Sequence, residues 1–440
     1  MTTETLWTTQ PDAATFVHDQ LDSFLQSSSS IRSLRDRLHV ETGTRLLDWV
    51  AKFTLPAQAQ LVQKLEAVGY MADARQLLWQ HPGGLFPDVE LTNHQEKRLF
   101  VRVESVADFV LAQGLMGHVS IDGAPLSAVR QSKIATENGT ECWVIERHGG
   151  STVDPMKVLR HHEAFRLRNR NFDDDAAGFA HARDLVRAAI ADLGVDRTCD
   201  LFFQAEREYW QLRNRAARIQ KARQDALGMG WANHDHHTYR SGRNNFAPMI
   251  TILEEMGFVC RERFFAGREA GWGAQVLEQP NVGLIIFADV DLSPDEVTGD
   301  FAHDPLPLRK ELGTVGLWCA LHGEAFLQAG MHHLECQFDF DAARDQLKPQ
   351  GVDSMKPFTD FTYLRQAFTK GEVWPVAEKR IAKLQHEGRI TDAQATKFRT
   401  DGALGSHLEI LQRNDGYKGF NQTGINEIIL KTDPRLATTT

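Results

Sequence analysis

From Gly228 towards the C-terminus the chain twice repeats one order of elements, and each copy opens on a strand carrying adjacent histidines. GWANHDHHTYRS reads as a strand, NNFAPMITILEEMGF as a helix, and VCRERFFAGR, GWGAQVLEQ and VGLIIFADVDL as three more strands. A second βαβββ copy begins with the strand GMHHLECQFDF and the helix DAARDQLKPQG. A polar insert from about 352 to 401, including the helical AEKRIAKLQHEGRITDAQATKFR, interrupts it before the strands GSHLEILQR and TGINEIILKT close it. Repeated supersecondary units bury their apolar faces by packing on one another, so the chain is confined to folds that set such copies side by side.

The preceding residues have a different texture. From about 11 to 80 the pattern is helical, as in LLDWVAKF and QAQLVQKLEAVGYMADARQLLW, with apolar residues at three- and four-residue steps. HPGGLFPDVEL is a loop, RLFVRVESVADFVLAQGL a strand then a helix, and MGHVSIDGAPLSAVRQSKI and GTECWVIERHGG are strands. Helices then occupy roughly 172–228. FDDDAAGFAHARDLVRAAIADLG opens on acids that suit a helix N-terminus and closes on Gly194. The expected organisation is an N-terminal α+β region over 1–170 with no role assigned, a helical segment over 171–228, and the repeated region over 229–431. The fold class is α+β.

At 440 residues, 42% hydrophobic and 25% charged, the chain can bury a sizeable core. A net charge of −10, with Lys and Arg spread throughout, argues against a nucleic-acid or anionic-membrane partner. Five scattered cysteines with no CxxC pair suggest neither a zinc knot nor a disulfide framework. The N-terminus lacks a basic and apolar leader pattern and no apolar run is long enough to span a bilayer, so a cytoplasmic location is expected. An oligomer is compatible with all of this.

The histidine strands point to a metal. His234, Asp235, His236 and His237 share the first strand of the first unit, and His332 and His333 share that of the second. Glu409 stands on a late strand of the second unit. Strand side chains alternate faces, so His234 and His236 should share one face while His237 points away, and only one of His332 and His333 should point inward. One histidine per unit and one carboxylate can then converge, leaving open which. Two imidazoles and a carboxylate leave three cis positions on an octahedral ion, the facial arrangement of non-haem iron(II) oxygenases. The absence of thiolates favours iron or manganese over structural zinc. Glu335 and Glu324 are alternative carboxylates, and Glu335 ranks lower because it would crowd the His333 strand.

Over about 229–431 the chain resembles the 2-oxoadipate dioxygenase/decarboxylase family of the vicinal-oxygen-chelate superfamily. The resemblance rests on His236-His237-Thr238-Tyr239-Arg240, on His333-Leu334 followed by Asp339-Phe340-Asp341-Ala342, and on Gly405-Ser406-His407 followed by Glu409-Ile410-Leu411-Gln412-Arg413. It implies a curved metal-binding sheet, an Fe(II) ion held by His236, His333 and Glu409, and Arg240 on a substrate carboxylate. It further implies a chelated 2-oxo acid and O₂ as partners. CO₂ leaves and the same molecule is hydroxylated without a separate cosubstrate. Asn233, His234 and Asp235 are expected to fix the imidazole tautomer, and His407 to line the cavity as a catalytic group. Arg413 should share the Glu409 face and Gln412 should not. In GYKGFNQTGINEI, which resembles the family's substrate-contacting strand, Asn421 and Gln422 are candidate contacts.

Three rivals stand beside this reading: a metal-dependent isomerase or extradiol-type dioxygenase of the same superfamily, a zinc hydrolase, and a non-catalytic relative. The spacing from Gly-Ser-His to the glutamate is shorter here than the family pattern, and residues 1–225 have no counterpart in it.

Overall fold

A computed structural model describes residues 7–149, 154–421 and 432–435. Helices α1 (Pro11–Ser27) and α2 (Ser29–Arg37) precede β1 (Val50–Pro56), α3 (Ala59–Ala67), β2 (Met71–Ala72), β3 (Leu78–Gln80) and β4 (Asp88–Thr92). Then come β5 (Lys97–Arg102), α4 (Val106–Ala112), β6 (Val129–Glu137) and β7 (Thr140–Arg147). These strands form one sheet in the order β2-β3-β4-β1-β5-β7-β6. β1 runs parallel to β4 and antiparallel to β5, and β5 runs parallel to β7.

Four helices follow: α5 (Pro155–Arg166), α6 (Asp175–Leu193), α7 (Val195–Leu212) and α8 (Arg215–Asp225). The helix ends agree with the sequence. The Asp174 side chain caps α6 by accepting from the Ala176 amide, and Gly194 ends it at φ 79°.

The remaining elements are β8 (His234–Arg240), α9 (Phe246–Glu255), β9 (Val259–Phe265), β10 (Trp272–Gln279), β11 (Leu284–Asp291) and α10 (Thr314–His322). After them come β12 (His333–Gln337), α11 (Phe340–Leu347), β13 (Thr359–Phe361), β14 (Leu364–Phe368) and β15 (Glu372–Trp374). α12 (Glu378–His386), α13 (Asp392–Asp401) and β16 (Ala403–Arg413) complete the set. Their sheet runs β13-β14-β16-β12-β8-β11-β10-β9, with β15 on the side of β16.

This is the vicinal-oxygen-chelate arrangement. In each unit the first strand lies parallel to the fourth, β8 with β11 and β12 with β16, and the two first strands pair antiparallel at the centre. The N-terminal sheet has the same plan. β1-α3-β2-β3-β4 is a complete unit with β1 beside β4, and β5-α4-β6-β7 is a second one. In that second unit the place of the second strand is reduced to an isolated bridge, Asp122 with Gln131.

Two expectations change. LLDWVAKF does not continue a helix: Val50–Pro56 is the central β1, because its apolar residues are needed in a sheet core whatever their spacing suggests. The polar insert is shorter than its composition implied. Thr359–Phe361 and Leu364–Phe368 are the second and third strands of the repeated unit, leaving only β15 and the α12–α13 hairpin as the addition before β16. The expected last strand, TGINEIILKT, lies largely outside the described residues.

One core joins α1 and α2 to the N-terminal sheet, and a larger one joins the helices to the outer face of the second sheet. β11 is buried along its whole length, which explains its continuous apolar run. On the helix side of β8, His237 and Tyr239 pack edge-on against Phe203 of α7. Tyr239 also donates to the fully buried Glu206 (3.1 Å), which takes Arg168 at 2.9 Å and Arg170 as ion-pair partners. Burial alone would raise the Glu206 carboxyl, but the two guanidinium groups hold it below its usual range. Among the described residues no helix is long and apolar enough to cross a membrane.

Candidate metal centre

The open face of the second sheet carries the convergence that the histidine strands suggested. His236 and Thr238 of β8 lie across from Glu335 and His333 of β12, and Glu335 in turn lies beside Glu409 of β16. His236, His333 and Glu409 offer ligand atoms all within 4.8 Å of one another, and each is buried. His333 Nε2 stands 3.0 Å from Glu409 Oε2, and His236 Nε2 stands 2.5 Å from Glu335 Oε2. Glu335 Oε2 nevertheless has no aligned hydrogen-bond partner, as expected of atoms facing a common centre rather than one another.

Charge decides which group of donors suits an ion. Asp235 is gripped in a fork by Arg413 (Nε–Oδ1 2.9 Å, Nη2–Oδ2 3.0 Å) and also accepts from Gln337 at 3.1 Å. Its negative charge is therefore spent. Burial would raise its carboxyl, but Arg413 and His236 pull it well below the usual range. Glu335 and Glu409 have no such cation among the described residues. The Gln366 amide is their shared donor, at 3.1 and 3.2 Å. Burial and the nearby Glu335 push the Glu409 carboxyl well above its usual range, while burial raises Glu335. Burial, then the His407 and His236 imidazoles, push His333 well below, so it stays neutral and free to ligate.

Two imidazoles and two carboxylates with no cation forked onto them fit a divalent cation, and the N/O donor set suits iron or manganese. On metal uptake in neutral buffer the protein should expel a proton from the Glu335/Glu409 pair, and its affinity should tighten as pH rises. Calorimetry in buffers of differing ionisation enthalpy reads this directly; no buffer dependence would remove the shared-proton account.

The supporting shell is partly as the sequence implied. Asp235 Oδ2 is 3.1 Å from His236 Nδ1, so Arg413, Asp235 and His236 form a chain that orients the ring. Arg413 shares the Glu409 face, whereas the Gln412 side chain accepts from the Phe340 amide on the other side. Asp235→Asn or Arg413→Ala should each weaken metal binding by about 10–100-fold while the metal-free protein remains folded. An unchanged metal titration would sink that role.

Other placements differ from expectation. His234 does not share the His236 face. A register shift at Glu335/Cys336 releases it from alternation, and it packs edge-on against His237 on the opposite side. Asn233 bonds to Gln224 and the Gln337 carbonyl, not to His236. His332, just before β12, escapes alternation as well: its Nδ1 lies 3.0 Å from His333 Nδ1. His407 does not line the cavity but stacks on His333, its Nε2 at 3.2 Å from the same Nδ1. Those three imidazoles bring no carboxylate to an ion, and they serve to orient His333. Glu324 lies apart, accepting from Ser241, Gly242 and Asn245 in the turn after β8.

A cavity of about 440 Å³, counting its mouth and the solvent space in front of it, opens over the centre. Arg240 does not line it. Its Nε faces Asp289 Oδ2 at 3.6 Å, and its guanidinium lies 5.7 Å from the Trp318 ring. Asn421 does line it, donating to Thr359 at 3.0 Å; Gln422 lies outside the described residues.

Sequence reasoning underrated Glu335 and missed Gln366 and Asp289. Glu335 does not crowd His333, because the antiparallel pairing turns it towards His236 on the neighbouring strand. Gln366 was hidden by taking its strand for an insert. Asp289 had a visible signal, an acid alternating within the apolar strand LIIFADVD.

No family model matches the chain, and no curated protein matches it. Solved structures similar to it include a glyoxalase-superfamily protein from Ralstonia eutropha, at 13% identity and TM-score 0.35, covering 60% of this chain and 97% of that one. A methylmalonyl-CoA epimerase from Mycobacterium tuberculosis is similar at 14% identity and TM-score 0.24, over 41% of this chain and 88% of its own. A variant of 4-hydroxymandelate synthase from Streptomyces coelicolor is similar at 12% identity and TM-score 0.32, over 75% and 95%. The architecture described above stands on its own strand order.

Proposed function

We propose that the chain is an Fe(II)-dependent dioxygenase that oxidatively decarboxylates a 2-oxo acid to the hydroxy acid one carbon shorter. The observation that carries this reading is the buried His236–His333–Glu409 group, with a second carboxylate beside it and a small-molecule cavity above it. The motif resemblance over the same residues supports it. A ferrous ion would supply the electrons that activate O₂ and an anchor for the 1-carboxylate and 2-oxo oxygens. The balance closes on one substrate: RCH₂COCOO⁻ and O₂ give RCH(OH)COO⁻ and CO₂, the two oxygen atoms of O₂ entering the new carboxylate and the hydroxyl.

The residues of the chain would do the rest. His236 and His333 hold ring nitrogens in place, oriented by Asp235 and by His332 and His407. Glu409 is the third ligand. Glu335 must stay off the ion when the substrate chelates, since a fourth protein ligand would leave only two positions for three incoming atoms. The Gln366 amide, which donates to Glu335, would hold that carboxylate back from the ion, and the aromatic walls exclude water. The test is anaerobic iron loading, then O₂ uptake and CO₂ release across a panel of 2-oxo acids. Stoichiometric uptake and release supports the reading; iron-loaded protein that consumes no O₂ with any acid overturns it.

A further inference from the structure

The cavity itself speaks to the substrate's tail, an inference that rests on the proposed chelation of a 2-oxo acid at the centre. Away from the ligands its lining is aromatic: Phe264, Trp272, Phe287 and Phe420 on one side, Phe358 and Phe368 on the other. Their rings contact one another as walls, with centroids 5.3 Å apart for Phe264–Phe287, 4.7 Å for Phe287–Phe420 and 4.5 Å for Phe358–Phe368. No lysine or arginine lines it among the described residues. Arg240, the cation that the motif assigned to a distal carboxylate, is not in the lining: its Nε stands 3.6 Å from the Asp289 carboxyl, which does line the cavity, and its Nε and Nη1 are buried without a hydrogen-bond partner.

Besides Glu335 Oε2 and Gln366 Oε1 at the centre, Thr238 Oγ1, Trp272 Nε1 and Asp289 Oδ1 of the lining lack a protein partner. Thr238 and Asp289 sit beyond His236 along the paired strands β8 and β11, with Asp289 opposite Arg240. We propose that the substrate carries a flat apolar tail, as in an arylpyruvate, with at most a neutral hydrogen-bonding tip, and that Asp289 excludes a second carboxylate. An anion at that depth would lose its hydration with no cation in the lining to meet, and would face Asp289 in front of any approach to Arg240. A ring instead fills the aromatic walls, and a neutral tip is matched by Thr238, Trp272 and Asp289. Burial, opposed by Arg240, raises the Asp289 carboxyl to about 7, so the exclusion of an anion strengthens as pH rises above that value.

The experiment is calorimetric binding of phenylpyruvate and of 2-oxoadipate to the full chain loaded with zinc, which holds the ligand set without redox chemistry. Phenylpyruvate is expected to bind at least about tenfold tighter, and Asp289→Asn should close that gap at least about tenfold by strengthening 2-oxoadipate. Equal or tighter binding of 2-oxoadipate to the unaltered protein overturns the proposal, as does no binding of either acid. An unchanged 2-oxoadipate affinity in Asp289→Asn overturns the exclusion by charge. If the preference holds but iron-loaded protein consumes no O₂, the decarboxylase reading fails and the assignment of the tail stands.

Discussion

His333→Ala and Glu409→Ala are each expected to lose metal beyond the 10–100-fold range typical of outer-shell changes, ~10–100-fold being the effect foreseen for Asp235 and Arg413, and to abolish metal-dependent turnover. Both side chains face the centre, and the one neighbouring carboxylate that could stand in for Glu409 among the described residues is Glu335, paired beside it. Elemental analysis after dialysis, together with a cobalt titration followed by its visible spectrum, reads the loss. Glu335→Ala is the discriminating companion. If Glu409 is the ligand and Glu335 the spare carboxylate, only the Glu409 variant loses the ion. Full occupancy in Glu409→Ala with loss in Glu335→Ala would exchange their roles.

The largest expected effect on stability lies outside the site. Glu206→Ala leaves Arg168 and Arg170 buried without a carboxylate and deprives the Tyr239 hydroxyl of its acceptor. Breaking a buried pair by removing one partner costs about 3–5 kcal/mol, because the charge left behind cannot recover its hydration. Chemical denaturation of the metal-free proteins measures the difference. The sign with pH follows from the lowered Glu206 carboxyl. Its contribution is present above the unfolded value of 4.5 and is lost as pH falls below that towards the folded value, so the two proteins should converge in acid. A difference that stays constant with pH would assign the loss to packing instead.

Much of the second half was legible because its signals are local. Histidine-bearing strands, a capped α6 and glycine-bounded strands can each be read from a dozen residues. What escaped depends on partners distant in sequence. The strand Val50–Pro56 earns no alternation of its own, and only pairing with β4 and β5 makes it central. Leu364–Phe368 looked like part of an insert until β16 was set beside it. The alternation rule failed at His234 and at His332, one beside a register shift and one outside the strand, so it misjudged which imidazoles meet. Arg240 was placed by its motif, but no motif reveals that Asp289 from another strand stands in front of it.

The duplicated sheet plan has a consequence for how the chain reaches its native state. Three complete units and one reduced one share a pairing scheme, so a first strand such as β1 meets several near-equivalent docking edges while the chain is still collapsing. Both sheets also join strands distant in sequence, which slows their closure and lengthens the exposure of unpaired edges. Divergence between the copies then acts as proofreading: the buried cluster of Glu206 with Arg168 and Arg170 lies behind the second sheet, whereas α1 and α2 cover the first with an apolar core, and a strand docked in the wrong sheet would leave a charge unpaired. Refolding from denaturant is expected to pass through a populated intermediate rather than a single step, visible as rollover in the folding limb.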